Sequence, residues 1–372
     1  MKGALIMSIV LTVEQREQAG SDSYNRFEYQ VHWIVCHIIG KLQDNAECIV
    51  FCEFHDDMAE FSPDNQQYQF YQIKTKEDPS EWTIAEMSKR EKKKSGGYKK
   101  SFLGFIFYNY LTFSTECSHC HFVSNNDFDK EVLSWQAVIE DGKKLQVEDI
   151  TLYQKIKDRI KDEFANDMPS NFDSVFDAFI QNTFVHKSDL QLAAYENQTK
   201  GEFFNHLADK NIPTNTANLI FQQLLNDVRK KSKEKIKVPI SMKRLVEKKG
   251  VDVAQIGRKI DGNIKKSGNY DEFHQYLLNQ SLTEKDIRRI EVAKTLHDAR
   301  WLDINDVKYQ EIVVVLRQVI STYFETSDTV GFDDELKRLC SQELKKNNLL
   351  SESLDKSLVE VLYYEQKYYR NN

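Results

Sequence analysis

The chain has 372 residues, 40% of them hydrophobic, with 5 prolines and 13 glycines, which suits two packed domains and excludes a low-complexity or linker-rich protein. Its net charge of −7 excludes a globally basic nucleic-acid binder, so any grip on DNA has to come from local basic patches. Six unevenly spaced cysteines make no disulfide framework, which points to a reducing cytoplasm, and no apolar run approaches the roughly 20 residues of a membrane helix.

The N-terminal stretch MKGALIMSIVLTV is apolar, with a single Lys2 and no small-residue cleavage site, and reads as a first strand or packing arm rather than a signal peptide. Residues 26–43 repeat Phe27, Val31, Ile34, Val35, Ile38 and Leu42 at helical spacing, which predicts a largely buried helix. Residues 48–61, CIVFCEFHDDMAEF, predict a strand that continues or bends at Asp56–Asp57. SPDNQQ is a turn, and YQFYQIKT, residues 68–75, is the returning strand. An apolar helix from Ser101 and a buried strand over 120–128 complete an α-β-β-α-β order, a mixed α/β class. Beyond about residue 145 the strand signals fade, and VEDITLYQKIKDRIKDEF, SNFDSVFDAFIQNTF, TANLIFQQLLNDVRKK and much of 284–324 carry helical periodicity. Residues 229–250 hold ten basic and two acidic residues with Pro239 and Gly250, and read as a solvated helix face at a domain boundary.

Gln72 and Lys74 share one face of their strand, and Asp57 lies 15 residues before Gln72, across a hairpin. Glu53, His55 and Asp57 share a parity if their own strand stays regular. A carboxylate, an amide oxygen and an ammonium can therefore converge at one end of the unit. That trio suits phosphodiester hydrolysis. Mg²⁺ takes oxygen ligands, here Asp57, Gln72 and the Ile73 main-chain carbonyl, with Mn²⁺ as the alternative ion. Such an ion acidifies a water and binds the scissile phosphate. Lys74 would position or deprotonate that water, or offset charge on the pentavalent phosphate. The same letters also fit an exposed strand that follows an ordinary Asp-Asp turn.

Arg16, Glu17 and Gly20, then Arg26, Phe27, Tyr29 and Gln30, then FxEFHDD, QxKT, WT and FVSNNDF occur in an order that resembles the Cap-type endonuclease domain of antiphage defence systems. That domain is a branch of the PD-(D/E)xK nuclease superfamily, and the resemblance spans roughly residues 14–250. It implies a restriction-endonuclease-like core followed by a helical C-terminal region: a core over 1–145, a helical extension over 146–250 and a partner-binding region over 251–372. It implies metal and catalytic roles for Asp57, with Asp56 as its rival, and for Gln72 and Lys74. Gln72 stands where many relatives carry Glu, which removes a negative charge that Glu53 could restore. Gln30 sits where relatives often present a polar residue to the site, although a packing role fits it equally. The short helical tail resembles the nuclease subunit of Lamassu systems more than a cyclic-nucleotide-gated CBASS nuclease, whose SAVED sensor is a larger α/β module. That likeness implies double-stranded DNA as substrate, an SMC-like ATPase and a small accessory subunit as partners, and self-association on release. A catalytically inactive scaffold or DNA-binding subunit is the alternative that Gln72 keeps open.

MSKREKKKSGGYKK, residues 87–100, holds seven basic residues and one acidic one, and follows directly on the Q-x-K strand. Lys89, Arg90, Lys92, Lys93, Lys94, Lys99 and Lys100 make it a candidate DNA-backbone grip, with a solvated loop as the plain alternative. CSHCH (Cys117, His119, Cys120, His121) invites zinc, but no second ligand pair follows at a suitable spacing, and the segment also reads as the lead-in to a buried strand. The last helix sets Leu354, Leu358, Val361 and Leu362 on one face, and its tyrosines 363, 364, 368 and 369 suit either core packing or a partner surface.

Overall fold

The computed structural model describes residues 19–371 apart from 211, 213, 259, 261–269, 303–305, 327–331 and 350–353. The expected N-terminal arm, Arg16 and Glu17 lie outside the described residues. The fold is mixed α/β, a six-stranded sheet with helices on both faces, followed by a helical C-terminal region.

Helix α1 (Ala19–Gln43) begins earlier than its apolar spacing predicts, because the polar SDSYN stretch is helical too. The segment 48–61 is two strands, not one: β1 (Ile49–Cys52) and β2 (Met58–Ser62) are antiparallel, and the Asp pair lies in the turn between them. β3 (Gln67–Lys74) pairs antiparallel with β2. It then runs parallel to β4 (Cys117–Ser124), which is parallel to β5 (Thr183–Lys187). The order across the sheet is β5-β4-β3-β2-β1-β6, where β6 (Gly250–Asp252) is antiparallel to β1. The short β5 and β6 fall in stretches whose periodicity predicts only helix. Each is a brief extended segment held by a neighbouring strand.

Successive residues of β3 serve opposite faces. Tyr71 and Ile73 join the core made with α1, α8 (Tyr195–Leu207) and α9 (Thr214–Lys233), whereas Phe70 joins the other core. That second face is covered by α2 (Ile84–Met87), α3 (Phe102–Phe113), α4 (Lys130–Glu140), α5 (Leu145–Glu148), α6 (Ile150–Glu163) and α7 (Phe172–Gln181). A central strand covered on both sides can be apolar on both, which is why Phe70, Tyr71, Gln72 and Ile73 of β3 and most of β4 are buried.

Residues beyond the basic run return to the sheet. α10 (Met242–Lys249) leads into β6, and Val251, Val253, Ile256 and Ile260 pack into the α1-side core. Gly250 is required by close approach: a Cβ there would lie 2.8 Å from Val246 Cα and 3.0 Å from the Phe51 ring. Gly250→Ala should lower stability by about 2 kcal/mol, as overpacking does, seen as a lower melting temperature. The basic run is not a uniformly solvated face, since Lys231 and Lys249 are both buried.

His32 on α1 is buried with neither ring nitrogen bonded, and burial pushes its pKa down to about 4. A histidine with a lowered folded pKa leaves the unfolded chain as the stronger proton acceptor, so stability is full above about pH 6.5 and falls as pH drops towards 4. The loss should reach roughly 2 kcal/mol after solvent screening. Melting curves across that range should flatten in His32→Leu.

The C-terminal region has its own core, gathered around the helix Lys356–Asn371 by the helices Tyr270–Leu278, Glu284–Leu302, Val307–Thr326 and Asp334–Lys346. Tyr363 and Tyr364 are buried in it, so these two tyrosines pack internally, whereas Tyr369 is exposed. No helix among the described residues is long and apolar enough to cross a membrane.

Candidate active site

The turn between β1 and β2 is bent by two non-glycine residues in the left-handed region, Glu53 (φ 51°) and His55 (φ 63°). Such backbone costs of order 1–3 kcal/mol per residue and needs surrounding structure to hold it. The Glu53 amide donates to the Asp57 carbonyl (3.0 Å), and the Asp57 amide donates to Asp56 Oδ1 (3.0 Å). Asn109 on α3 locks the turn from below, with Nδ2 donating to Asp56 Oδ2 (2.9 Å) and to the His55 carbonyl (3.1 Å). The His55 ring rests between Phe54 and Phe113.

This turn faces the end of β3 where its pairing with β2 has stopped. Asp57 Oδ2 takes the freed Ile73 amide (2.7 Å) and the Lys74 ammonium (2.9 Å). Lys74 also lies 5.5 Å from the centre of the Phe102 ring. Glu53, His55, Asp56, Asp57, Gln72 and Lys74 thereby line one cleft of about 460 Å³, closed on its other side by Lys100, Ser101, Phe102 and Phe105 at the start of α3. Gln30 is not in the lining. Its Nε2 donates to the Ile73 carbonyl (3.0 Å), so it braces the strand from the α1 side.

The two aspartates differ in surroundings. Asp56 is buried and spends its oxygens on Asn109 and the Asp57 amide, whereas Asp57 meets Lys74. Burial first, and the neighbouring Asp57 charge second, push the Asp56 carboxyl well above its ordinary range. The same two causes raise Glu53, which shows much of its surface at the cleft mouth, so water screens part of the effect. Lys249 and Lys74 pull Glu53 the other way.

Gln72 is 4% exposed, and its Oε1 is buried without a hydrogen-bond partner. An orphaned acceptor of this kind costs about 1–3 kcal/mol. An unmet amide oxygen beside three crowded carboxylates fits a divalent cation, which takes oxygen ligands of both kinds.

The segment leaving β3 is clamped by FVSNNDF. Asn125 exchanges two bonds with the Lys76 backbone (2.9 and 2.8 Å), Trp82 Nε1 donates to Ser124 Oγ (2.7 Å), and Asn126 Nδ2 donates to the Ser80 carbonyl (3.1 Å). Lys76 is engaged with Glu86 and the Trp82 ring, outside the cleft. Ser101 starts α3 with its amide and hydroxyl on Glu163 (2.9 and 2.6 Å), and a Cβ at Gly104 would lie 2.2 Å from that carboxylate.

The basic stretch forms an exposed reverse turn. Lys92 bridges to Tyr98, the Lys93 amide donates to the Gly97 carbonyl (3.0 Å), and Gly96 and Gly97 have positive φ. Arg90 lies over the Tyr98 ring, and Lys99 pairs with Glu91. Lys89, Lys92, Lys93 and Lys94 are exposed, with no salt bridge among the described residues. Of the seven basic residues, only Lys100 lines the cleft.

The CSHCH segment does not gather its ligands. A register shift at Tyr68/Gln69 leaves Cys117 and Cys120 in the core beneath α3, their sulfurs 3.7 Å apart, while His121 lies on the opposite face, stacked on Tyr71. A group with metal-ligand spacing does occur in the C-terminal region, at His297, Asp298 and Glu365. There Lys294 lies 3.1 Å from both carboxylates and Arg317 3.0 Å from Glu365, so the charges are already met by protein cations.

Asn109 and Lys249 escape sequence reasoning. The signal for Asn109 is a single amide inside the apolar run FLGFIFYNYLTF. For Lys249 it is the spacing of four from Leu245, which puts both on one helix face.

A family model described as the Cap4 dsDNA endonuclease domain matches residues 18–232, more than half of the chain. No curated protein and no solved structure matched it.

Proposed function

Because the chain belongs to the family of Cap4 dsDNA endonuclease domains, we propose that it is a DNA-cutting effector of a bacterial antiphage defence complex, working by metal-dependent hydrolysis in the cleft between the β1–β2 turn and α3. The observation that carries this reading is the meeting of Asp57, Gln72 and Lys74 in one cleft, with Gln72 Oε1 left without a donor.

Asp57 and Gln72 would hold the divalent ion, Mg²⁺ or Mn²⁺, with Glu53 at the mouth, and Asp56 supports the turn. When bound, the ion's chemistry is to acidify a water and polarise the scissile phosphodiester. Lys74, anchored by Asp57, orients the attacking water and offsets charge that grows on the phosphate oxygens. Lys100 in the cleft and the exposed Lys89, Arg90, Lys92, Lys93, Lys94 and Lys99 would grip the DNA backbone rather than read base edges. Gln30 braces the end of β3 through the Ile73 carbonyl.

The nuclease unit runs through Ile260, since β6 and the residues after it pack in its core. The region beyond it is the candidate docking unit. Four helices around Lys356–Asn371, with no strand among the region's described residues, support the Lamassu-type reading over a cyclic-nucleotide sensor. In that reading an SMC-like ATPase and an accessory subunit restrain the chain, and release permits self-association on DNA. The net charge of −7 is consistent with restraint, because the free chain is not drawn strongly to DNA.

The direct test is supercoiled plasmid with the purified chain, Mg²⁺ or Mn²⁺, and a chelator control. Metal-dependent nicking or linearisation is the expected result. Intact plasmid under every divalent ion, with the chain freed from any partner, leaves an inactive scaffold instead.

A further inference from the structure

Lys100 stands at a junction. Before it lies the exposed basic turn, and after it α3 enters the core through Leu103, Ile106 and Phe107. The Lys100 side chain is exposed and lines the cleft, with no carboxylate paired to it among the described residues. The end of α6 holds this junction in place. The Lys100 ammonium lies 4.1 Å from the centre of the Phe164 ring. One residue earlier, the Glu163 carboxylate accepts from the Ser101 amide (2.9 Å) and from the Ser101 hydroxyl (2.6 Å). The same hydroxyl accepts from the Gly104 amide (2.9 Å) and so closes the first turn of α3.

Two features of this lock are unfavourable by themselves. A carboxylate beside a cleft that receives a polyanion opposes binding. A glycine inside a helix is less stable than an alanine, yet a Cβ at Gly104 would overlap the Glu163 carboxylate. Both features serve one outcome, which is that the Lys100–Ser101 link cannot swing with the basic turn. Phe102, the next residue, meets Trp82 edge-on (5.7 Å between ring centres) and borders Lys74, so the lock also fixes the cleft wall.

We propose that Glu163 is a positioning residue for the cleft: through Ser101, and together with Phe164, it holds the Lys100 ammonium on the phosphodiester bound there. The inference rests on the nuclease reading above. Glu163 touches neither DNA nor the reacting atoms in this scheme. Lys100 differs from Lys89, Lys92, Lys93 and Lys94 accordingly: they meet the backbone from an exposed turn and govern binding, whereas Lys100 acts on the phosphate that is cut.

The test combines plasmid cleavage, for kcat and KM, with the affinity for a short DNA duplex in the absence of divalent ions. Lys100→Met should lower kcat by about tenfold to a hundredfold, the loss expected when a reacting group is misplaced, and should weaken duplex binding. Glu163→Ala should do the same, although loss of a negative charge alone would tighten binding. The Lys100→Met, Glu163→Ala double variant should be no worse than Lys100→Met, because Glu163 acts through Lys100. Glu163→Gln can still accept from the Ser101 amide and donate to its hydroxyl, so it should behave as the unaltered chain does. If Glu163→Ala does not fold, Gly104→Ala displaces the carboxylate while favouring the helix, and should give the same loss of kcat. Unaltered kcat with tighter binding in Glu163→Ala overturns the proposal. So do multiplied losses in the double variant, or a Glu163→Gln that matches Glu163→Ala. An unaltered chain that binds duplex but never cuts defeats the nuclease reading instead, and the affinity comparison still decides the role of Glu163.

Discussion

Plasmid DNA incubated with Lys74→Ala and Mg²⁺ should remain supercoiled, with cleavage down by about a thousandfold or more, the loss typical of removing one preorganised charge from a transition state. The ammonium is 2.9 Å from Asp57 and leans on the Phe102 ring, so its position does not depend on substrate. Its removal should leave Mn²⁺ binding intact, because alanine subtracts a cation and no oxygen ligand. Asp57 keeps the Ile73 amide, which holds the carboxylate in place. Calorimetry on the variant therefore separates lost chemistry from a lost site. Cleavage at the unaltered rate would remove Lys74 from the reaction and leave the cleft without its proposed charge-offsetting group.

Gln72→Glu should produce the largest change in metal-linked stability. The residue is 4% exposed and its oxygen has no donor, so a carboxylate here enters a buried position beside Glu53, Asp56 and Asp57. An uncompensated buried charge costs about 3–5 kcal/mol, and the metal-free variant should melt several degrees below the unaltered chain. Saturating Mg²⁺ or Mn²⁺ should recover most of that loss, because an ion that binds only the folded state adds its binding energy to stability. Thermal melts with and without the ion give the comparison. A variant that melts at the same temperature in both conditions would show that no ion enters between these residues. Gln72 then reads as a trade: a weaker hold on the ion than a carboxylate would give, and a metal-free cleft that stays folded.

Local pattern carries far in this chain. The β3 sequence YQFYQIK shows its extended form in its own alternation, and α1 and α3 show theirs in the spacing of apolar residues. β5 and β6 do not. TFVHK follows α7 with only Asn182 between, and GVD is too short to signal anything; each is a strand because β4 or β1 offers it a ladder. The same limit applies to chemistry. C-x-x-C-H spacing brings ligands to mind, but the alternation of β4 sets Cys120 and His121 on opposite faces. Ten basic residues over 229–250 read as a solvated run, yet the return of β6 to the sheet buries Lys231 and Lys249.

What the amino-acid order alone determined was the class of fold, the long helices, the central strands and the set of side chains able to do acid, amide and ammonium chemistry, because these depend on neighbours within a few positions. Which of them meet was decided only in three dimensions. The left-handed turn at Glu53 and His55, the end of β2 pairing at Met58–Tyr71 and the Asn109 bond beneath Asp56 bring Asp57 to Lys74. The side-chain contacts among them join residues 17 and 53 positions apart, and their geometry is set by packing energy that no short window of sequence contains.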